Sequence, residues 1–138
     1  MNVVLAALVL SAGSAPLVTL SATYLPPVKG AEATIAVQFS PTDPNIRVNE
    51  DPAPRLKLDQ EQQILAEKVA SARRPRPAVG EAHYLDPSVP VAFPVLLKAG
   101  TGPGDHAVKA TVTYFYCSKS EGWCRKGLAD ISVPVRVP

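Results

Sequence analysis

The chain has 138 residues, 46% of them hydrophobic, which is enough for one domain with a modest core. Its formal net charge of +2 is too small to indicate binding to nucleic acid or to an acidic membrane surface. Its 15 prolines, which fit poorly inside helices and central strands, argue against a helical bundle and favour a β-sandwich with long connections.

The beginning of the chain resembles a secretory signal. A short apolar run is followed by small residues, with Gly13 and Ala15 at the positions that a signal peptidase requires. No Lys or Arg precedes the run, and an uncleaved anchor would need about 20 apolar residues. We expect residues 1–15 to be an export signal, with a membrane anchor or a first strand as alternatives. Residues 16–138 then form one extracytoplasmic domain in the periplasm or cell envelope, which touches a membrane only through such an anchor.

Segments in which apolar and polar residues alternate predict about seven short strands separated by turn signals. The predicted strands cover residues 17–24, 31–40, 46–48, 55–59, 89–97, 107–117 and 128–137. Charged residues alternate with Leu56 and Leu58, which suggests an edge or surface strand, and Pro90 and Pro94 place their strand at a sheet edge or a bulge. The pattern is typical of an all-β, immunoglobulin-like antiparallel β-sandwich that ends in a cysteine-bearing hairpin.

The period-two spacing also predicts which side chains fill the core. The residues expected to be mostly buried are Ile35, Val37, Phe39, Val112, Tyr114, Ile131, Val133 and Val135. A slip of one residue in the register would exchange the two faces of a strand and expose these side chains.

Three connections are less regular than the strands. Residues 60–72 are rich in helix-forming residues and are expected to form either a short helix or an extended excursion. Residues 73–77 combine arginines with prolines, which predicts a solvated loop. Residues 98–105 are rich in glycine and predict a turn. They lack the pattern of a phosphate-binding loop, and no cofactor site is predicted.

The only two cysteines, Cys117 and Cys124, lie on either side of the turn between the last two strands. Opposed residues of antiparallel strands have Cα atoms about 4.5–5.5 Å apart, within the range of about 4.4–6.8 Å that disulfides span. We therefore predict that the two cysteines are bonded to each other. Zinc requires four ligands, whereas His83 and His106 are isolated, so no metal site is predicted.

The residues around the cysteines leave two functions open. Lys119, Arg125 and Lys126 outweigh Glu121, and positive neighbours lower the pKa of a thiol. The nearby aromatic residues are Tyr114, Phe115, Tyr116 and Trp123. These rings either offer a rigid apolar surface to a partner or pack the core and the hairpin. On this basis the pair is equally well a structural staple or a redox-active dithiol.

A family resemblance favours the redox function. The strand that ends in Tyr-Phe-Tyr-Cys, the short turn, the second cysteine and the final Val-Pro-Val strand resemble the N-terminal periplasmic domain of the thiol–disulfide reductase DsbD. They also resemble related domains attached to thioredoxin-like and NHL-repeat proteins. The specific part of the resemblance covers residues 107–138. The turn is about one residue longer than in the best-known member. The sequence shows neither a DsbD-type membrane domain nor a thioredoxin motif (Cys-x-x-Cys), and on this basis we expect a stand-alone module whose donor and acceptor are separate proteins.

The resemblance implies an immunoglobulin-like fold whose hairpin cysteines cycle between dithiol and disulfide. Carried over, Cys124 is the sulfur that partners attack, and Cys117 resolves the mixed disulfide. The expected partners are thioredoxin-like or other redox-active extracytoplasmic proteins, and the enzyme class implied is a component of a thiol–disulfide oxidoreductase system. The predicted partner-binding residues are Tyr114, Tyr116, Trp123, Arg125 and Lys126. The alternative function is a non-catalytic envelope binding module with a structural hairpin disulfide.

Overall fold

The computed structural model describes residues 16–28, 32–59, 64–65, 69–71, 77–78 and 81–138. The described residues form ten strands and no helix. The strands are β1 (Val18–Leu25), β2 (Ala33–Pro41), β3 (Ile46–Val48), β4 (Arg55–Leu58), β5 (Val69–Ser71), β6 (Pro77–Ala78), β7 (Glu81–Leu85), β8 (Val91–Val95), β9 (Gly104–Ser118) and β10 (Cys124–Val137). The predicted export signal and residues 73–76 of the predicted arginine-rich loop lie outside the described residues, and the last residue of that loop, Pro77, instead begins β6. In the described part of the chain, no helix has the length and hydrophobicity to cross a membrane.

Two antiparallel sheets enclose one core. The smaller sheet has the strand order β1-β2-β8, and the larger sheet has the order β10-β9-β4-β5, with β3 also paired to β9. Strands β6 and β7 form a separate two-stranded ladder. Buried apolar residues of both sheets belong to a single cluster, as in a β-sandwich. The predicted all-β antiparallel sandwich with a cysteine-bearing hairpin is therefore confirmed, with ten strands among the described residues where about seven were predicted.

The core follows from the alternation of side chains along the strands. All eight residues that were predicted to be buried are buried. On β2 they alternate with half-buried residues, and on β9 and β10 they alternate with half-buried or exposed residues. Val133 lies opposite Val108 in the hairpin register, and both side chains are fully buried. The predicted register of the two long strands is thus correct.

The position of β4 differs from its predicted place at an edge or on the surface. β4 pairs with β9 on one side and with β5 on the other, and Leu56 and Leu58 are buried. Arg55 and Lys57 are exposed because they lie on the solvent face of the sheet. Alternating charge marks an exposed face and does not show whether a strand has one neighbour or two. The strand near Pro90 and Pro94 was predicted to lie at a sheet edge or a bulge. This prediction is confirmed, since β8, which contains Pro94, is at the edge of its sheet.

The ambiguous stretch from residue 60 to residue 72 is extended where the structure describes it. Ile64 and Leu65 are buried, and Leu65 forms an isolated β-bridge with Leu97. The carbonyl oxygen of Ile64 accepts a hydrogen bond of 2.7 Å from the backbone N–H of Lys98. Farther along, β5 pairs with β4. Of the two alternatives for these residues the extended one holds, because core contacts outweigh the local helix propensity.

Candidate functional site

The two cysteines are bonded across the β9–β10 hairpin, as predicted. The Cys117–Cys124 S–S distance is 2.03 Å, and the two Cα atoms are 4.0 Å apart. The residues lie directly opposite each other in the register. The backbone N–H of Ser118 donates to the carbonyl of Trp123 at 2.9 Å, so the adjacent cysteine pair is a non-hydrogen-bonded pair. Cα atoms approach most closely at such pairs, which brings the two sulfurs within bonding reach.

The two cysteine residues differ in their exposure to solvent. Cys117 is 5% exposed, whereas Cys124 belongs to the exposed residues. The topology explains the difference: β9 has β10 on one side and β3 on the other, with Arg47 in register with Cys117. Cys124 lies at the start of β10, which is the terminal strand of its sheet. Cys124 is therefore the more exposed residue of the pair.

Asn49 contacts the buried sulfur. Its side-chain oxygen Oδ1 lies 3.2 Å from Sγ of Cys117, and its backbone N–H donates to the carbonyl of Phe115 at 2.7 Å. A disulfide sulfur carries no proton, but the Cys117 thiol of the reduced protein would have this amide oxygen as its acceptor. Asn49 was not predicted from the sequence, because 68 residues separate it from Cys117 and no local pattern marks it.

The predicted partner residues are divided between the two faces of the sheet. Paired residues share a face, so the outer face that carries the disulfide also carries the pairs Phe115–Lys126 and Thr113–Leu128. The opposite face carries the remaining predicted partner residues. These are Tyr114, Tyr116, Trp123 and Arg125.

Only Lys126 of the predicted partner residues therefore shares a face with the disulfide. Phe115 lies on that face and was not among them. The signal was present in the sequence, since Phe115 and Cys117 have the same parity along one strand. Leu128 also lies there and is 65% exposed.

The aromatic residues on the opposite face form a continuous row into the core. The ring centroid of Tyr114 lies 5.4 Å from that of Phe39 and 5.8 Å from that of Tyr116. The Tyr116 and Trp123 centroids are 5.9 Å apart, and Cζ of Arg125 lies 4.1 Å from the Trp123 centroid. Contacts of these types stabilise packing beyond the area that they bury. The row therefore connects the hairpin that carries Cys124 to the core of the sandwich.

Tyr114 is 6% exposed and offers little surface to a partner. Burial raises the pKa of its phenol, and the charge of Tyr116 raises it further. A folded-state pKa above the unfolded value of about 10 means that this group's contribution to stability is complete below pH 10 and is lost as the pH rises through the raised value.

We expect Tyr114→Phe to reduce the loss of stability between about pH 9 and pH 11, because the variant has no phenol to ionise on unfolding. Urea unfolding at a series of pH values measures this loss. Tyr116→Phe serves as the comparison. If Tyr114→Phe and the unmodified protein lose the same amount of stability over this pH range, ionisation of Tyr114 is not the cause of the loss.

A groove on the outer face begins beside the disulfide. It is lined by Asp51, Pro52, Ala53, Pro54, Arg55, Thr113, Phe115 and Lys126 and has a volume of about 470 Å³. Phe115 and Lys126 form the first outer-face pair beyond the cysteines. The other side of the groove is the connection between β3 and β4, which contains a cis peptide bond between Asp51 and Pro52. The disulfide itself does not line the groove but lies one outer-face residue pair beyond Phe115 and Lys126.

The two predicted isolated histidines do not approach the cysteines in any contact that the structure describes. His106 Nε2 lies 2.9 Å from the carbonyl oxygen of Gly102, and the side chain of His83 is outside the described part. Among the described residues, no group of three or more His, Cys, Asp or Glu side chains could hold a metal ion.

Comparisons with known proteins give no assignment. No family model matches the chain, and neither a curated protein nor a solved structure matches it. The hairpin disulfide, the unequal exposure of its two cysteine residues and the nearby groove are therefore the features from which a function is inferred.

Proposed function

We propose that this protein is an exported thiol–disulfide exchange module, in which Cys117 and Cys124 pass electrons between extracytoplasmic proteins. The observation that carries the proposal is the unequal exposure of the two cysteine residues. Cys124 is exposed on an edge strand, and Cys117 is buried beside Asn49. Thiol–disulfide exchange requires one sulfur that is accessible to the partner, whereas the second sulfur can be inaccessible to it.

In the reduction of the module, a partner thiolate attacks Sγ of Cys124. The bond between the two cysteines breaks, and Sγ of Cys117 leaves with the electron pair and takes up a proton. A second thiol of the partner then attacks the mixed disulfide and releases Cys124. The partner dithiol is oxidised to a disulfide, and the module is reduced to its dithiol.

In the reverse direction, the Cys124 thiolate attacks the disulfide of an acceptor, and Cys117 resolves the mixed disulfide. The acceptor leaves with two electrons, and the Cys117–Cys124 bond forms again. Asn49 lies where it would accept a hydrogen bond from the Cys117 thiol between these steps. Thioredoxin-like or other redox-active proteins are the proposed donors and acceptors.

The proposed location is the periplasm or cell envelope. A disulfide persists in such oxidising compartments, and the only two cysteines of the chain form one. The location also agrees with the export signal predicted in residues 1–15.

A redox titration separates exchange from a structural role. We expect the Cys117–Cys124 pair to have a reduction potential above about −300 mV, because structural disulfides usually lie below that value. Equilibration in dithiol buffers of defined potential, followed by alkylation and intact mass measurement, gives the fraction reduced. A potential below about −300 mV would favour the alternative, a non-catalytic envelope binding module with a hairpin staple.

A further inference from the structure

The groove beside the disulfide has the position of a partner-binding channel. Phe115 and Thr113 of the central strand β9 lie between Lys126 on β10 and the connection from Asp51 to Arg55. We propose that this groove binds the segment flanking the reactive cysteine of an exchange partner, and that this segment is extended and acidic. The inference rests on the thiol–disulfide exchange proposed above.

The width of the groove suits an extended chain. Its two sides belong to β10 and to the connection beside β9, which are two inter-strand spacings apart, or about 9.6 Å. A helix with its side chains is about 10–12 Å wide and would not enter between them. An extended segment presents a narrower backbone and reaches Phe115 on the central strand.

The spacing of residues along the groove would align an extended partner chain with the disulfide. The outer-face residues of β9 run from Cys117 through Phe115 to Thr113 at two-residue steps, or about 6.6 Å per step. An extended partner chain has the same rise per residue. When its cysteine is bonded to Cys124, the residues two and four positions away lie level with Phe115 and Thr113.

The charge of the groove favours an acidic segment. Lys126 and Arg55 line it together with a single carboxylate, that of Asp51. A segment with carboxylates two and four residues from its cysteine would bring them level with the Lys126 and Arg55 positions. Attraction of this kind raises association rates by about 10- to 1,000-fold in clefts of one sign, falling with ionic strength.

The test uses the full chain with Cys117→Ser, in which Cys124 is the only thiol. The probes are synthetic peptides with one cysteine held in a disulfide with 2-nitro-5-thiobenzoate. The Cys124 thiolate attacks the peptide sulfur, the bond to thionitrobenzoate breaks, and that group leaves as a coloured thiolate with the electron pair. Absorbance therefore reports the rate without any added oxidant. One peptide carries Glu two and four residues from its cysteine, and a second carries Lys at the same positions.

We expect the acidic peptide to react about tenfold faster than the basic peptide at low salt. Lys126→Glu or Arg55→Glu should bring the ratio of the two rates to one or below. Arg136→Glu is the matched control, because this exposed residue lies at the far end of β10 and makes the same charge change. It should leave the ratio unchanged.

A neutral small reagent, 4,4′-dithiodipyridine, tests the exchange proposal separately from the proposal that the groove binds the partner. If it reacts readily with Cys124 while the two peptides react equally, the groove assignment is overturned and the exchange proposal stands. A peptide preference that survives both Lys126→Glu and Arg55→Glu also overturns the groove. A Cys124 thiol that is inert to the small reagent overturns both proposals.

Discussion

Cys117→Ser should capture partner proteins as stable mixed disulfides, whereas Cys124→Ser should capture on the order of tenfold less. In the first variant the exposed thiol of Cys124 remains, and no second sulfur is present to release the bound partner. In the second variant the remaining thiol is that of Cys117, which is 5% exposed in the folded protein. The expected difference follows from the topology, because β9 is central and β10 is terminal in the sheet.

The capture is measured in an envelope extract on non-reducing gels, with each complex required to disappear on addition of dithiothreitol. The double variant Cys117→Ser/Cys124→Ser is the background control, and thermal unfolding of each single variant shows that it is folded. If neither single variant captures a thiol-dependent partner and the potential lies below about −300 mV, redox exchange is wrong. The hairpin disulfide then serves as a staple only.

Gly127→Ala should destabilise the fold by about 1–3 kcal/mol. Gly127 lies opposite Tyr114 in the hairpin, and a Cβ at this position would be 2.4 Å from Cζ of the Tyr114 ring. Because that ring packs against Phe39 and Tyr116, it cannot move aside without disturbing them. Urea unfolding of the oxidised protein measures the change in the free energy of unfolding.

Gly102→Ala is the matched control for this substitution. A Cβ at Gly102 would have no heavy atom within 4 Å, so its effect should stay within about 0.5 kcal/mol. A further variant isolates the steric contribution: in a Tyr114→Ala background, Gly127→Ala should cost much less, since the obstructing ring is absent. Equal effects of Gly127→Ala in both backgrounds would show that the close approach of the ring is not the cause.

The sequence alone predicted much of the fold because many of its signals are local. Period-two spacing identified the β2 residues Ile35, Val37 and Phe39 as buried, and the turn residues located the β9–β10 hairpin. The disulfide was predictable for the same reason, since two cysteines on either side of one turn meet whenever the hairpin forms in register. Here the turn includes Gly122 with φ +75°, in the region that favours glycine.

The arrangement of the strands into sheets was not predictable from these local signals. The alternating charges beside Leu56 and Leu58 indicated a solvent-facing surface, but they carried no information about the neighbours of β4. The helix-forming composition around Ile64 and Leu65 indicated a possible helix, and burial of these side chains against the core prevailed where the structure describes them. In both cases contacts with residues distant in sequence determined the outcome.

The candidate site shows the same division. By itself the sequence determined the cysteine pair, its register and the shared face of Phe115, Cys117 and Lys126, because antiparallel pairing and strand alternation depend only on residue spacing. Only the tertiary structure decided which cysteine is buried, which amide contacts its sulfur and where the groove runs. Those features arise because β3 and the connection after it pack beside β9, bringing Asn49 to Cys117 from 68 residues away, and no local pattern encodes such a contact.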